Sequence, residues 1–333
     1  MIGEHLIVAL LIAIALDMTA GDPKNKYHPV RWLGNLINYF VPHLKTKTII
    51  DLHEASRYAI IEKVKGTVFV FCLLGIFGVG LQLCLFIGSN LMGPVLMIIV
   101  YAIILKITIA IKGMEVHSVR IMNALEQKDL DNARLCLSMI VRRETKNLDE
   151  QLILSGTIEC ISESTVDGVV SPIFFYSLFG PTGSFIFRIV NTLDSMIGYK
   201  DKYNENIGWM SAKLDTIANY IPSRLAGMLI VVSSLIISTD WRNSIRTMRR
   251  DHNKTSSLNA GYPISSMAGS LRVKLEKVDH YSVGESYDPL SIEKCKRAIV
   301  IMKLTAILSC FLIFIPLMSI LSAVGWWGLL FGS

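Results

Sequence analysis

Glu159, Glu163 and Asp167 recur at every fourth residue of ECISESTVD and so share one face of a helix. Like charges at this spacing repel. Gly168 followed by Pro172 is expected to end the helix, which would leave Asp167 at the C-terminal pole, where an anion is disfavoured. Such a stripe calls for a cation, and Mg2+ shared between carboxylates and substrate phosphates fits it. The competing reading is a solvated acidic stripe beside a basic one.

Three further stretches carry candidate chemistry. NTLDSMIGYK (191 to 200) groups Asn191, Asp194, Ser195 and Lys200 directly behind the apolar FIFRIV. In SAKLDTIANYIPSRLAG, Asp215 and Asn219 stand one helical turn apart and Pro222 suits the opening of the next helix. Arg224 then falls in a first turn, which favours either a bound phosphate or an anchor at lipid headgroups. DMTAGDPKNKYHPVRW places Asp17 and Asp22 beside an apolar run, with His28 and Arg31 where HPVRW opens a helix.

Arg246, Arg249, Arg250 and Lys254 form a basic cluster ahead of Asn259 in a small-residue turn, readable as a phosphate site or a juxtamembrane patch. No Walker A, G-x-G-x-x-G or H-E-x-x-H pattern occurs. Cys72, Cys84, Cys136, Cys160, Cys295 and Cys310 make no C-x-x-C pair, which argues against a zinc site or disulfide framework and for reduced, packed thiols.

The elements that must hold these groups are set by composition. The 333 residues are 52% hydrophobic and 18% charged, outside the balance of soluble domains. Gly66 through Leu105 contains no Asp, Glu, Lys or Arg and is interrupted by GSNLMGP, as expected of a two-span helical hairpin. Residues 304–333 are also uncharged and carry Trp326 and Trp327 near their end, so they read as a last span with an interfacial anchor. Leu6 to Leu16 and Leu225 to Ser238 are short runs of a re-entrant or buried kind, and Val169 to Val190 is broken by FGPTG, so it is expected to dip in and return.

The fold class expected is an all-α integral membrane protein with about four to six membrane-embedded helices. A helical cytoplasmic subdomain is expected over 112–168, and a small β-hairpin where LRVKLE and YSVGE alternate. One domain is expected over 1–333: polar loop 17–65, hairpin 66–111, subdomain 112–168, motif segments 169–239, polar loop 240–298 and last span 299–333. The N-terminus has Glu4 and His5 rather than a basic region, so no signal cleavage is expected. Basic residues in 17–65 and 112–168 put those segments on the cytoplasmic side of the cell membrane. The net charge of +6 points to a membrane surface or an anionic substrate, not to nucleic acid.

Taken together, the motifs resemble the CobD/CbiB family of cobalamin-biosynthesis proteins, the adenosylcobinamide-phosphate synthases. The resemblance rests on D-x-x-x-G-D-P with HPVRW at 17–32, E-x-x-x-E-x-T-V-D-G ending at Gly168, NTLDSMIGYK, SAKLD, ANYIPSRL, DHNK, S-x-NAGYP and MAG. It implies a membrane ligase that amidates a propionate of adenosylcobyric acid with aminopropanol phosphate or a similar amino alcohol phosphate, using ATP and Mg2+. Under that reading Glu159, Glu163 and Asp167 take metal. Asp194, Lys200, Asp215 and Arg224 are catalytic, and Asp22, His28, Arg31, Arg250 and Asn259 bind the cosubstrate or corrinoid. The lipid bilayer is its setting, and association with further copies or with other corrinoid-pathway membrane enzymes stays open.

Thr216 departs from a second Asp after Asp215, Leu258 from a Pro before Asn259, and Arg142-Arg143-Glu144 from a Gly-Arg-Asp pattern. The first weakens Asp215 as half of a metal pair. A Mg2+-dependent membrane prenyltransferase would use similar acidic helix faces but lacks a second D-x-x-x-D here. A corrinoid or anion transporter would need ionisable groups within the spans and repeat symmetry, and the uncharged 66–105 hairpin and last span show neither. One site built from 112–168, 191–222 and 240–298 requires 169–190 and 225–238 each to bring the chain back.

Overall fold

The computed structural model describes residues 2–21, 28–45, 52–199, 201 and 203–331. In order, α1 is Ile2–Ala20, α2 Pro29–Leu44, α3 Leu52–Leu91, α4 Pro94–Lys106 and α5 Ile111–Glu126. They are followed by α6 Leu130–Ser138, α7 Glu150–Thr165, α8 Ser171–Ile197, α9 Trp209–Ala218, α10 Tyr220–Ile236, α11 Trp241–Asp251 and α12 Gly261–Leu271. A hairpin of β1 Leu275–Lys277 and β2 Tyr281–Val283 precedes α13 Ile292–Ser309, α14 Ile315–Ala323 and α15 Trp326–Phe331.

Among the described residues, 5 helical stretches are long and apolar enough to cross a membrane, or 6 if α9 and α10, bent by 46°, count as one. The protein is an all-α, multi-pass membrane protein. The uncharged hairpin is α3 and α4, with Gly93 and Pro94 opening the second helix. On α3 the side chains of Ile76, Val79, Leu83 and Phe86 stay exposed, as an apolar surface facing lipid does. The last span starts earlier than the uncharged run: α13 begins at Ile292 and passes through a π turn at Cys310–Phe314 into α14. The early polar residues of that helix lie above the apolar part.

α8 is two legs, not one rod. Gly180 sits at φ 67° and ψ −160°, outside any helix, and Pro181 opens the second leg without needing a backbone donor. The Phe175 and Phe187 rings stack with centroids 5.2 Å apart, whereas twelve residues of straight helix would separate them by roughly 18 Å. The chain therefore dips in and returns. Tyr176 donates to the Leu6 carbonyl (3.0 Å), Trp326 Nε1 to the Leu178 carbonyl (2.7 Å) and Thr182 to Gln82 (2.7 Å), so the tip hangs on α1, α3 and α15. These bonds satisfy groups that lipid could not.

The other return is made by α11. Asn243 Nδ2 donates to the Gly269 carbonyl (2.9 Å) and the His252 and Tyr262 rings meet at a tilt with centroids 4.6 Å apart, so α11 runs antiparallel to α12. It delivers Asn259, which donates to the Thr216 carbonyl at 2.8 Å, back to the start of α10.

Two expectations need correction. The helix does not end at Gly168: α7 continues through a π turn at Val166–Val170 directly into α8, so Asp167 meets no helix pole. Cys72 and Cys84 are exposed rather than packed, while Cys136, Cys160, Cys295 and Cys310 are buried. The β-hairpin is present but short, pairing Leu275 with Val283 and Lys277 with Tyr281. Asp17 is fully buried and accepts from the backbone N–H groups of Ile111 (2.9 Å) and Lys112 (3.1 Å), with Lys106 Nζ at 3.5 Å. It closes the α4–α5 break, a structural use of a carboxylate at a helix start.

Candidate active site

α7 carries its acidic stripe inward, the returning leg of α8 brings NTLD to it, and α9 supplies Asp215. The result is a chamber of about 160 Å³ lined by Glu163, Asp167, Asp194 and Asp215 together with Asn219 and Asn259. Four carboxylates from three stretches far apart in sequence thus meet at one cavity. Such a wall favours a cationic ligand, since like charges removed from water repel strongly.

Amides and hydroxyls fix the acids. Asp215 accepts from Asn219 Nδ2 (3.0 Å) and Asn191 Nδ2 (3.3 Å), and Ser171 Oγ donates to Asn219 Oδ1 at 2.6 Å. Arg188 Nη1 in turn donates to Asn191 Oδ1 (3.4 Å). A side chain at position 198 would collide with the Asp194 carboxylate, which explains the glycine that follows Ile197. At the rim Arg224 lies over the Tyr220 ring (3.6 Å) and the Tyr262 ring (4.5 Å), and donates to Asn259 Oδ1 (3.4 Å). Stacking of this kind holds a guanidinium plane ready for a flat or phosphorylated ligand.

A second chamber of about 390 Å³ shares Glu163 and Asp167 with the first and is lined further by Arg188, Asn191, Thr192 and Ser195. Val30, from the first turn of α2, lines it as well.

Not every expected residue comes here. Glu159 is taken by a separate cluster: Arg143 Nη2 at 3.6 Å, Tyr281 Oη at 3.0 Å and Ser155 Oγ at 3.0 Å. Gly156 leaves the space through which the Arg143 guanidinium reaches it. Its i+4 spacing from Glu163 puts it on the same face but a turn too far along the axis, so of the three expected metal ligands only Glu163 and Asp167 line the chamber. Arg250 lines neither chamber. It clasps Asp251 through two bonds of 2.7 and 2.8 Å and pairs with Glu285.

His28 caps α2 by accepting from the Val30 N–H (3.3 Å), and Arg31 is exposed on α2, lining neither chamber. Asp22 and Lys200 lie outside the described residues. Arg188 and Ser171 are the site residues that sequence reasoning passed over. An arginine inside FIFRIV was the available signal, because a charge in a membrane-embedded run is rarely idle.

Mg2+ fits the donor set of the first chamber: hard carboxylate and amide oxygens, with no thiolate or imidazole among its lining side chains. Among the described residues no three His, Cys, Asp or Glu come close enough together to hold a metal by themselves.

A family model described as "CobD/Cbib protein" matches residues 10–310. "Probable cobalamin biosynthesis protein CobD" of Methanothermobacter thermautotrophicus is 36% identical over 299 residues, 90% of this chain and 94% of that protein. "Cobalamin biosynthesis protein CobD" of Dehalococcoides mccartyi is 35% identical over 288 residues, covering 86% and 89%. The protein of the same name from Clostridium perfringens is 33% identical over 292 residues, covering 88% and 89%. No solved structure matches.

Proposed function

We propose a specific reaction for this chain, which belongs to the CobD/CbiB family of cobalamin-biosynthesis proteins: ATP-dependent amidation of a propionate carboxylate of adenosylcobyric acid by aminopropanol phosphate or a similar phosphorylated amino alcohol. The product is adenosylcobinamide phosphate. The observation that carries this reading is the convergence of Glu163, Asp167, Asp194 and Asp215 on one cavity, with arginines beside it.

A carboxylate does not react with an amine until one of its oxygens becomes a leaving group. The γ-phosphoryl of ATP passes to the propionate, releasing ADP and forming an acyl phosphate. The amine lone pair then attacks the carbonyl carbon, the C–N bond forms, the C–O bond to phosphate breaks and inorganic phosphate leaves. The incoming donor is an ammonium ion, so it must be attracted by carboxylates and lose a proton before it can attack. Asp215, its two oxygens oriented by Asn191 and Asn219, holds the ammonium, and Asp194 accepts the proton.

Glu163 and Asp167 would hold Mg2+, which when bound neutralises phosphate charge during transfer. Arg224, stacked at the rim, binds phosphate or the corrinoid's polar edge, and Lys200 is assigned to phosphate. The corrinoid rests at the mouth, since neither chamber is large enough for its ring. The chambers face the cytoplasm of a cell-membrane protein, where ATP is made, on the side marked by the basic segments.

The test is direct. Purified protein with ATP, Mg2+, adenosylcobyric acid and aminopropanol phosphate is expected to yield the amide and ADP in equal amounts. Asp194→Asn and Glu163→Gln are each expected to lower kcat by roughly 10²–10⁴-fold. Full activity in either variant would contradict the residue roles, and no amide from the wild type would contradict the reaction.

A further inference from the structure

The second chamber has charges of both signs in its lining. Glu163 and Asp167 form the wall it shares with the acidic chamber, and Arg188 lines it from the returning leg of α8. An arginine inside a membrane-embedded run is costly and is retained where it faces a cavity and meets a ligand or partner there. Its planar five-donor fork matches phosphate oxygens in pairs. Thr192 and Ser195 add hydroxyl groups to the same lining, while Val30, Met114 and Ile140 supply apolar surface.

We propose that this chamber is the subsite for the amine donor, with Arg188 recognising its phosphate and the donor's ammonium directed past the Glu163–Asp167 wall to Asp215. The inference rests on the amidation reading above. A phosphorylated amino alcohol is a zwitterion with a short carbon chain between its charges; the chamber offers a cation and an apolar stretch, and its Asn191 is bonded to the Asp215 carboxylate. At about 390 Å³ it takes such a molecule with room for water. The hydrogen-bonded series Arg188 to Asn191 (3.4 Å) to Asp215 (3.3 Å) joins the phosphate end to a carboxylate of the acidic chamber. A donor docked on Arg188 therefore has its amine led toward Asp215 and Asp194. Arg188 makes the enzyme select phosphorylated over free amino alcohols.

The experiment compares aminopropanol phosphate with free aminopropanol as donors, in wild-type protein, Arg188→Ala and Arg188→Lys. Arg188→Ala is expected to raise KM for aminopropanol phosphate, and Kd for it measured by calorimetry without ATP, by roughly 10- to 150-fold. KM for ATP should stay within about 3-fold, and the loss with free aminopropanol should be much smaller than the loss with aminopropanol phosphate, since a uniform binding term is what the phosphate contact supplies. Arg188→Lys, which keeps the charge but not the fork, should restore part of the preference and decides the matter if Arg188→Ala does not fold. An unchanged preference in these variants, an equal loss with both donors, or a rise confined to KM for ATP would overturn the assignment of Arg188 while leaving the amidation reading in place. A wild type that amidates with no phosphorylated amino alcohol would instead overturn the reaction itself.

Discussion

At Asp251, a carboxylate with no exposed surface meets Arg250 Nε (2.7 Å), Lys254 Nζ (2.7 Å) and the Gly284 N–H (2.9 Å). Burial by itself would raise its pKa, but these donors outweigh it and hold the carboxyl down at about 2. A depressed acid contributes stability that is present above its unfolded pKa, near 4, and is lost as pH falls through 2. The contribution is about 1–2 kcal/mol, reduced because Arg250 is partly exposed. Asp251→Asn should lower the apparent Tm of the detergent-solubilised protein at pH 7 and flatten its fall between pH 4 and pH 2. Parallel curves for the two proteins would contradict this.

Spacing in sequence carries the helix face of a residue but not its partners. Arg250 looked like a phosphate ligand because its buried acid is its own chain neighbour, and adjacent residues seldom face one another on a helix. Glu159 looked like a metal ligand because spacing reports the helix face and not depth along the axis. Its partners Arg143 and Tyr281 come from a loop and a distant strand. Asp194, Asp215, Arg224 and Asn259 were legible because each sits in a dense polar motif next to an apolar run, an arrangement that needs a reason.

Among the elements, α8 does most to assemble the site, because only its return at Gly180 brings Arg188, Asn191 and Asp194 level with Glu163 and Asp167. A Cβ at 180 would press on the Phe331 ring at 2.8 Å and would force a side chain into a backbone region reserved for glycine. Gly180→Ala is expected to cost about 1–3 kcal/mol of stability. It should lower activity by misaligning both chambers, as read by thermal unfolding and turnover together. Unchanged stability and turnover would mean the tip is not what sets the legs. The break was visible beforehand in FGPTG, as were the α3–α4 hairpin and the helical subdomain. The π turn at Val166–Val170 was not, because Gly168 and Pro172 look like a stop signal and only packing carries the helix past them: Ala110 donates to the Gly168 carbonyl at 2.9 Å.

For the whole molecule, the described parts of α7, α8, α9 and the segment before α12 meet at one chamber through Glu163, Asp194, Asp215 and Asn259. Two returns, at Gly180 and through α11, remove the topological conflict that an apolar run inside each motif segment would otherwise create. Single cysteines at Glu205 and Ser256, in protein with Cys72 and Cys84 replaced by serine, should label with an impermeant maleimide from the same side of oriented vesicles. A cysteine at Asn90 should label from the other side. Labelling of 205 and 256 from opposite sides would break the single site.

The central claim is that this site turns a corrinoid carboxylate into an acyl phosphate and passes it to an amine. The most direct measurement uses adenosylcobyric acid carrying ¹⁸O in the reacting carboxylate, with ATP, Mg2+ and aminopropanol phosphate, and follows the mass of the phosphate released. The account expects one ¹⁸O in each inorganic phosphate formed, together with ADP and the amide. Unlabelled phosphate, or AMP and diphosphate in place of ADP, would contradict it.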